Sequence, residues 1–112
     1  MTRLSAFLLV VTTVDSRDGA DRLARALVER RLAACAQISA IDSYYTWEDA
    51  VRHDGEFRIL FKVAAAAYEE AERAIRDLHS YRLPAIHAIA VERAHAPYAD
   101  WVVANSTPQA GL

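Results

Sequence analysis

Hydrophobic positions follow two different repeats along this chain, and the repeats predict strands and helices in a definite order. Residues 7–14 form a continuous apolar and β-branched run, and residues 86–91 form a second, which is a pattern typical of strands. A first helix is predicted to follow residues 15–16, because Asp15 or Ser16 can cap its start. Apolar residues at helical spacing predict a second helix over residues 66–79. The residues predicted to face the sheet are Ala20, Leu23, Ala24, Leu27, Val28, Leu32, Tyr68, Ala71, Ala74, Ile75 and Leu78.

The segment between these helices predicts one long antiparallel hairpin. Its arms cover residues 32–47 and 56–63, and turn-forming residues occur around 48–50 and 54–55. The first arm is more than twice the usual strand length of about five or six residues. A hairpin of this length overshoots a domain of this size and leaves unpaired edges, so we expect another subunit to cover it.

The apolar residues of the first arm change sides along its length. Ile38 alternates against Cys35, whereas Trp47 shares the parity of Cys35. A shift of one residue exchanges the two faces of a strand, so the pattern predicts a β-bulge near Ser39 to Asp42.

The elements occur in the order strand, helix, strand, strand, helix, strand, with a short terminal helix over residues 97–104. This order predicts an α+β fold of the ferredoxin-like βαββαβ type, with two helices on one face of an antiparallel sheet. We predict a single domain over residues 1–105 and a frayed tail over residues 106–112. The hairpin carries more apolar surface than two helices can cover, which favours a closed cyclic oligomer.

Composition argues against several classes of function. The 112 residues suit one domain, and a formal net charge of −2 without a basic patch makes nucleic acid an unexpected partner. The apolar start of the chain is too short for a membrane span, and we interpret it as a buried strand rather than a signal peptide. One cysteine cannot form an internal disulfide and suits a reducing compartment, so a cytoplasmic location is expected.

Five separated motifs occur in a specific order and spacing. They are Arg31-Leu32-Ala33-Ala34-Cys35-Ala36-Gln37, Tyr45-Thr46-Trp47-Glu48, Lys62, His79-Ser80-Tyr81-Arg82-Leu83-Pro84-Ala85-Ile86 and Tyr98-Ala99-Asp100-Trp101. In these motifs, and from about Leu8 to Asn105, the chain resembles the CutA divalent-cation tolerance proteins. The resemblance implies a ferredoxin-like subunit in a compact, stable trimer that is associated with tolerance to copper and other divalent metals, without an established enzymatic activity.

The resemblance also implies a site in a cleft between subunits. The cleft lies near the motif residues Cys35, Trp47 and Lys62 and near a glutamate that follows the motif proline. Three positions depart from the family pattern, with Gln37 for Asn, Ser80 for Pro and Ala85 for that glutamate. The missing carboxylate matters most, because it would be an ion-pair partner of Lys62 or a metal ligand.

Cys35 is the candidate metal ligand, because a thiolate selects Cu(I) and similar soft metals. The alternative is a structural role, in which Cys35 packs as a small hydrophobic residue at the start of a strand. A preformed metal site within one chain is not expected, because the histidines lack the spacing that signals zinc. These histidines are His53, His79, His87 and His95.

The residues that we predict to line the cleft are Lys62, Tyr81, Trp47, Tyr45 and His79. For the two hairpin aromatics the alternative is a role as interface anchors. For His79 the alternative is a protonated imidazole that offsets the carbonyl groups at a helix end. Tyr98 and Trp101 are expected to pack the terminal helix onto a neighbour.

Two functions follow from these predictions. The first is a non-enzymatic homotrimer that binds copper or another divalent metal ion in the cleft around Cys35, with no obligatory cofactor. The second is a regulatory trimer that binds a small anion in the same cleft, because Lys62 without a carboxylate at Ala85 suits an anion better than a cation. An enzyme is not expected, because the sequence positions suggest no Ser-His-Asp or Cys-His pairing.

Overall fold

The computed structural model describes residues 6–108, which form a four-stranded antiparallel sheet and three α-helices. The strands are β1 (Phe7–Val14), β2 (Cys35–Trp47), β3 (Ala50–Ala64) and β4 (Ile86–Ala90). The helices are α1 (Arg17–Glu29), α2 (Tyr68–Leu78) and α3 (Ala96–Asn105), and a 3-10 turn at Ala65–Ala67 precedes α2. The α+β class and the ferredoxin-like order are therefore confirmed. Within the described range, no helix is long and apolar enough to cross a membrane.

The sheet has the strand order β2-β3-β1-β4, which places β1 in its interior. β1 pairs with β3 from Phe7 opposite Ala64 to Val14 opposite Phe57, and its other edge pairs with β4. A strand with partners on both sides and helices on both faces needs apolar residues at every position. This explains the continuous apolar run that the sequence shows there.

The predicted hairpin is present, but its first arm begins at Cys35 rather than at residue 32, and its second arm, Ala50–Ala64, is longer than predicted. Pairing continues without interruption from Cys35 opposite Lys62 to Trp47 opposite Ala50. Glu48 and Asp49 form the turn, with φ values of 51° and 62°. Two consecutive positive φ values define a type I′ turn, whose twist matches that of the flanking strands.

Two predictions about this hairpin are wrong. Residues 54–55 lie inside β3 rather than in the turn, and β2 has no bulge near Ser39 to Asp42, because its register with β3 is unbroken. The change of apolar side has another cause. Ile38 packs against the main core, whereas Tyr44 is 73% exposed. Beyond Ile38, the alternation therefore no longer reports on a core within the same chain.

Helices α1 and α2 cover one face of the sheet and form the main core. Its largest fully buried side chains include Leu27 of α1, Ile75 of α2, and Ile59 and Phe61 of β3. Ser16 caps α1 as predicted, and its hydroxyl accepts a 3.0 Å hydrogen bond from the Gly19 amide. This core fixes the position of β3, which carries Lys62 on the opposite face.

The helix boundaries differ from the predictions at a few residues. α2 begins at Tyr68, because Ala65–Ala67 form the 3-10 turn instead of its first turn. Val28 and Leu78 were predicted to be buried, but they are 39% and 43% exposed. Both lie in the last turn of a helix, where no following turn covers the side chain.

α3 packs on the opposite face of the sheet, against one end. Phe7, Ala34 and Val102 form a second buried cluster there. Ser106 is fully buried as well, and its hydroxyl donates to the Val102 carbonyl at 2.6 Å and accepts from the Ala64 amide at 2.8 Å. The predicted frayed tail therefore does not begin at Ser106, and its part from residue 109 onward lies outside the described residues.

Candidate functional site

Cys35 and Lys62 lie directly opposite one another on β2 and β3. Lys62 is also opposite Leu9 of β1, and Leu9 packs in the cluster under α3, so this pair faces the α3 side of the sheet. The Lys62 ammonium donates a 2.9 Å hydrogen bond to the Tyr98 hydroxyl and lies 5.2 Å from the centre of the Tyr98 ring. α3 thus adds a phenol to the predicted thiol and ammonium.

The electrostatics of this group are dominated by Lys62. Its pKa is raised, chiefly by the hydrogen bond to Tyr98, while burial opposes the rise and nearby Cys35 adds to it. Lys62 is therefore a cation at neutral pH and not an amine nucleophile. Cys35 is a half-buried free thiol. The pair offers one soft sulfur ligand, suited to a metal, and one fixed positive charge, suited to an anion.

Two tyrosines lie further along the sheet, each bonded to a carboxylate. The Tyr45 hydroxyl donates to Asp54, and the Tyr81 hydroxyl donates to Glu56 at 2.6 Å. The hydrogen bond to Asp54 raises the pKa of Tyr45, and burial followed by the bond to Glu56 raises the pKa of Tyr81. Both phenols therefore remain protonated at neutral pH and act as hydrogen-bond donors.

His79 follows the last residue of α2 and connects it to β1. Its Nε2 lies 2.9 Å from the Thr13 carbonyl and 3.1 Å from the Thr12 hydroxyl, and its Nδ1 accepts a 3.0 Å hydrogen bond from the Tyr81 amide. An acceptor Nδ1 places the proton on Nε2, so the imidazole is neutral. Burial lowers the pKa of His79 accordingly. The prediction of a protonated imidazole at this helix end is wrong, because its surroundings disfavour the charge and use both nitrogens.

The structure brings Cys35 and Lys62 together, but it does not bring the two hairpin aromatics to them within one chain. A strand rises about 3.3 Å per residue, so along β2 Tyr45 lies about 33 Å and Trp47 about 40 Å from Cys35. Among residues 6–108, no three side chains of His, Cys, Asp or Glu converge in a way that could hold a metal ion. Within one chain, these residues therefore do not form a single cleft.

Position 85, where this chain has alanine in place of the family's glutamate, also lies apart from Lys62. Ala85 directly precedes β4 and has the parity of Ile89, which is opposite Leu9. A side chain at position 85 is therefore expected on the face that carries Lys62, but about 13 Å along the strands and about 10 Å across them. Arg58 of β3 is on the same face and nearer to position 85. A carboxylate at position 85 would therefore not contact Lys62 within one chain.

Sequence reasoning missed a contact across the hairpin. Nε2 of His53 lies 3.0 Å from Oδ1 of Asp42, and the Tyr44 ring stacks on the imidazole with 4.3 Å between centres. Assigning residues 54–55 to the turn removed His53 from the paired strand. The available signal was the alternative turn at residues 48–49, which puts Tyr44 opposite His53.

The CutA1 divalent ion tolerance protein family matches residues 8–105 of this chain. The chain belongs to this family. The divalent-cation tolerance protein CutA of Thermus thermophilus is 35% identical over 99 residues, which cover 88% of this chain and 96% of the relative. The divalent-cation tolerance protein CutA of Archaeoglobus fulgidus is 33% identical over 93 residues, with coverage of 83% and 91%.

A solved CutA1 structure agrees with these matches. CutA1 from the psychrotrophic bacterium Shewanella sp. SIB1, described as a stable protein, superposes with a TM-score of 0.88 at 33% sequence identity. The match covers 93% of this chain and 98% of that one. The resemblance inferred from the five motifs is therefore confirmed. The CutA1 family is named for tolerance to divalent ions, and the names of these relatives describe no catalytic activity.

Proposed function

We propose that this chain forms a non-enzymatic homotrimer that contributes to tolerance of divalent cations by binding copper or another divalent metal ion in a cleft between subunits. The observation that carries the proposal is the free thiol of Cys35 opposite Lys62, in a member of the CutA1 family. A cytoplasmic location belongs to the same proposal, because a lone free thiol suits a reducing compartment.

The shape of the chain supports assembly. Its radius of gyration is 14.9 Å, compared with about 13 Å for a compact domain of this length, because the hairpin protrudes. Tyr45 and Trp47 are each 41% exposed on the protruding part. β2 and β4 are the two edge strands, and edges of this kind are natural surfaces for pairing. A closed ring of three copies would cover both the edges and the aromatic side chains.

Assembly would also complete the cleft. The aromatic end of a hairpin is about 33–40 Å from Cys35 of its own chain, so it serves this site only in a neighbouring copy. There, Tyr45 or Trp47 would close over the Cys35 thiol and the Lys62 ammonium. The apolar rings would exclude water, while the thiol would supply a soft ligand.

A copper titration tests this function. Wild type, Cys35→Ser and the matched control Ser39→Ala, which changes the same face of β2, are titrated with Cu(I) under reducing conditions and with Cu(II). Oligomeric mass is recorded throughout. We expect saturable Cu(I) binding by the wild type and Ser39→Ala, loss of that binding in Cys35→Ser, and a trimer in all three. Unchanged binding by Cys35→Ser, or a wild type that binds no Cu(I), would contradict the role of Cys35.

A second candidate function is a regulatory trimer that binds a small anion in the same cleft. It is favoured by the two cations Lys62 and Arg58 on one face of β3, where position 85 carries no carboxylate. Ala85→Glu discriminates between the two functions, with inorganic phosphate as the anionic probe. The substitution should strengthen metal binding if the cleft holds a cation and weaken phosphate binding if it holds an anion. No change in either would contradict both assignments of the cleft.

A further inference from the structure

The hairpin presents a polar group on the face opposite Tyr45 and Trp47. Because the register pairs Tyr44 with His53 and Asp42 with Gly55, the side chains of Asp42, Tyr44 and His53 project from one face. Most of this group is solvent-accessible, with the Asp42 side chain 76% exposed and the His53 side chain 49% exposed. It lies about 23 Å along β2 from Cys35, so it is separate from the cleft proposed above.

The geometry of this group is well defined for an exposed surface. Nε2 of His53 and Oδ1 of Asp42 are 3.0 Å apart, which is within hydrogen-bond distance for a histidine and a carboxylate. The Tyr44 ring stacks on the imidazole at an interplanar angle of 7° and so restricts its orientation. A Cβ added at Gly55, opposite Asp42, would meet nothing within 4 Å. The space beside the two ligand atoms is therefore open.

A metal ion fits between these two atoms at ordinary bond lengths. With metal–nitrogen and metal–oxygen distances of about 2.0–2.2 Å, a nitrogen–oxygen separation of 3.0 Å corresponds to an angle of roughly 90° at the metal. This is the angle between adjacent ligands in tetragonal coordination, the geometry that Cu(II) prefers with nitrogen and oxygen ligands. Tetrahedral Zn(II) would require the two atoms to move apart.

We propose that Asp42 and His53 chelate Cu(II) on the surface of the hairpin, at a site distinct from Cys35. The imidazole binds as the neutral tautomer with its proton on Nδ1, so that the Nε2 lone pair and the Asp42 carboxylate replace two waters of the hydrated ion. Water fills the remaining coordination positions through the open space beside Gly55. Two protein ligands give an exchangeable site, which suits transient capture of an ion rather than a permanent metal centre.

The test uses the full chain and Cu(II), with Zn(II) as a second probe. Wild type, His53→Gln, Asp42→Asn and Cys35→Ser are titrated by calorimetry at neutral pH without reductant. His87→Gln is the matched control, because His87 is an exposed histidine on β4. Electron paramagnetic resonance of the Cu(II) complex reports whether imidazole nitrogen coordinates the metal.

The proposal predicts a nitrogen-coordinated Cu(II) signal in the wild type, Cys35→Ser and His87→Gln. It predicts loss of that signal in His53→Gln and weaker binding in Asp42→Asn, with Zn(II) bound less tightly than Cu(II) throughout. Retention of the full signal by His53→Gln, or its equal loss in His87→Gln, would overturn the proposal. Because Cys35→Ser affects only the cleft, failure of the hairpin site and failure of the proposed function give different results.

Discussion

Replacement of His79 by Gln should remove a pH dependence from the stability of the fold. Burial lowers the pKa of His79 in the folded chain, while the unfolded chain retains the usual value of about 6.5. Between the lowered value and about 6.5 the unfolded state binds more protons, so wild-type stability falls as pH decreases through this window. Above the window the imidazole is neutral in both states and contributes no pH dependence.

The size of the effect is bounded by the contacts of His79. One proton per chain limits the slope to about 1.4 kcal/mol per pH unit. The Thr13 carbonyl and the carboxylates of Asp15 and Glu56 favour the protonated form, so the slope stays below that limit. Protonation also turns Nδ1 into a donor that faces the Tyr81 amide, which removes a hydrogen bond worth about 1 kcal/mol.

Urea unfolding at fixed protein concentration, from about pH 8 down to pH 5.5, measures the effect. Wild type and the exposed-histidine control His87→Gln should lose stability together as the pH falls. His79→Gln should be less stable than both at high pH, and the difference should shrink toward low pH. Parallel pH profiles for wild type and His79→Gln would refute the assignment of a neutral, half-buried imidazole.

Three further predictions follow from individual contacts. Ser106→Ala leaves the buried Ala64 amide without its acceptor and should cost about 1–3 kcal/mol in urea unfolding; a loss below experimental error would mean that the amide finds another partner. Asp49→Gly relieves a φ of 62° in the hairpin turn and should stabilise the chain by up to about 1 kcal/mol in the same assay, whereas destabilisation would contradict the type I′ turn. Tyr98→Phe removes the acceptor of Lys62 and should lower the Lys62 pKa, measured by NMR titration of its side chain; an unchanged pKa would contradict the contact.

Local pattern was sufficient for most of the elements of this fold. β1 was predicted over the residues that form it, because a central strand requires apolar side chains on both faces, and the Ser16 cap follows from the hydroxyl that α1 needs at its start. The family could also be identified from the sequence, because five motifs in a fixed order are specific when taken together. These features depend on neighbours in the chain or on residue identity alone.

Pairing across the hairpin depended on information that local pattern does not contain. The sequence offers turn-forming residues at 48–50 and at 54–55, and a turn at 48–49 changes every partner along the arms, including the pairing of Tyr44 with His53. Local pattern does not decide between the two turns, so the contact of His53 with Asp42 and the unbroken register were missed. Apolar parity indicated a bulge because it was assumed to report a core within one chain. In the structure, the helices stop covering β2 beyond Ile38.

The candidate site shows the same division between sequence and tertiary structure. Sequence alone determined which residue types are present, among them one thiol, and the family to which they belong. Only the tertiary structure decided that Tyr98 bonds Lys62, that His79 is neutral, and that Tyr45 and Trp47 lie tens of ångströms from Cys35. The physical reason is that charge state and convergence are set by contacts between segments distant in sequence, and periodicity reports only which face of its own element a residue occupies.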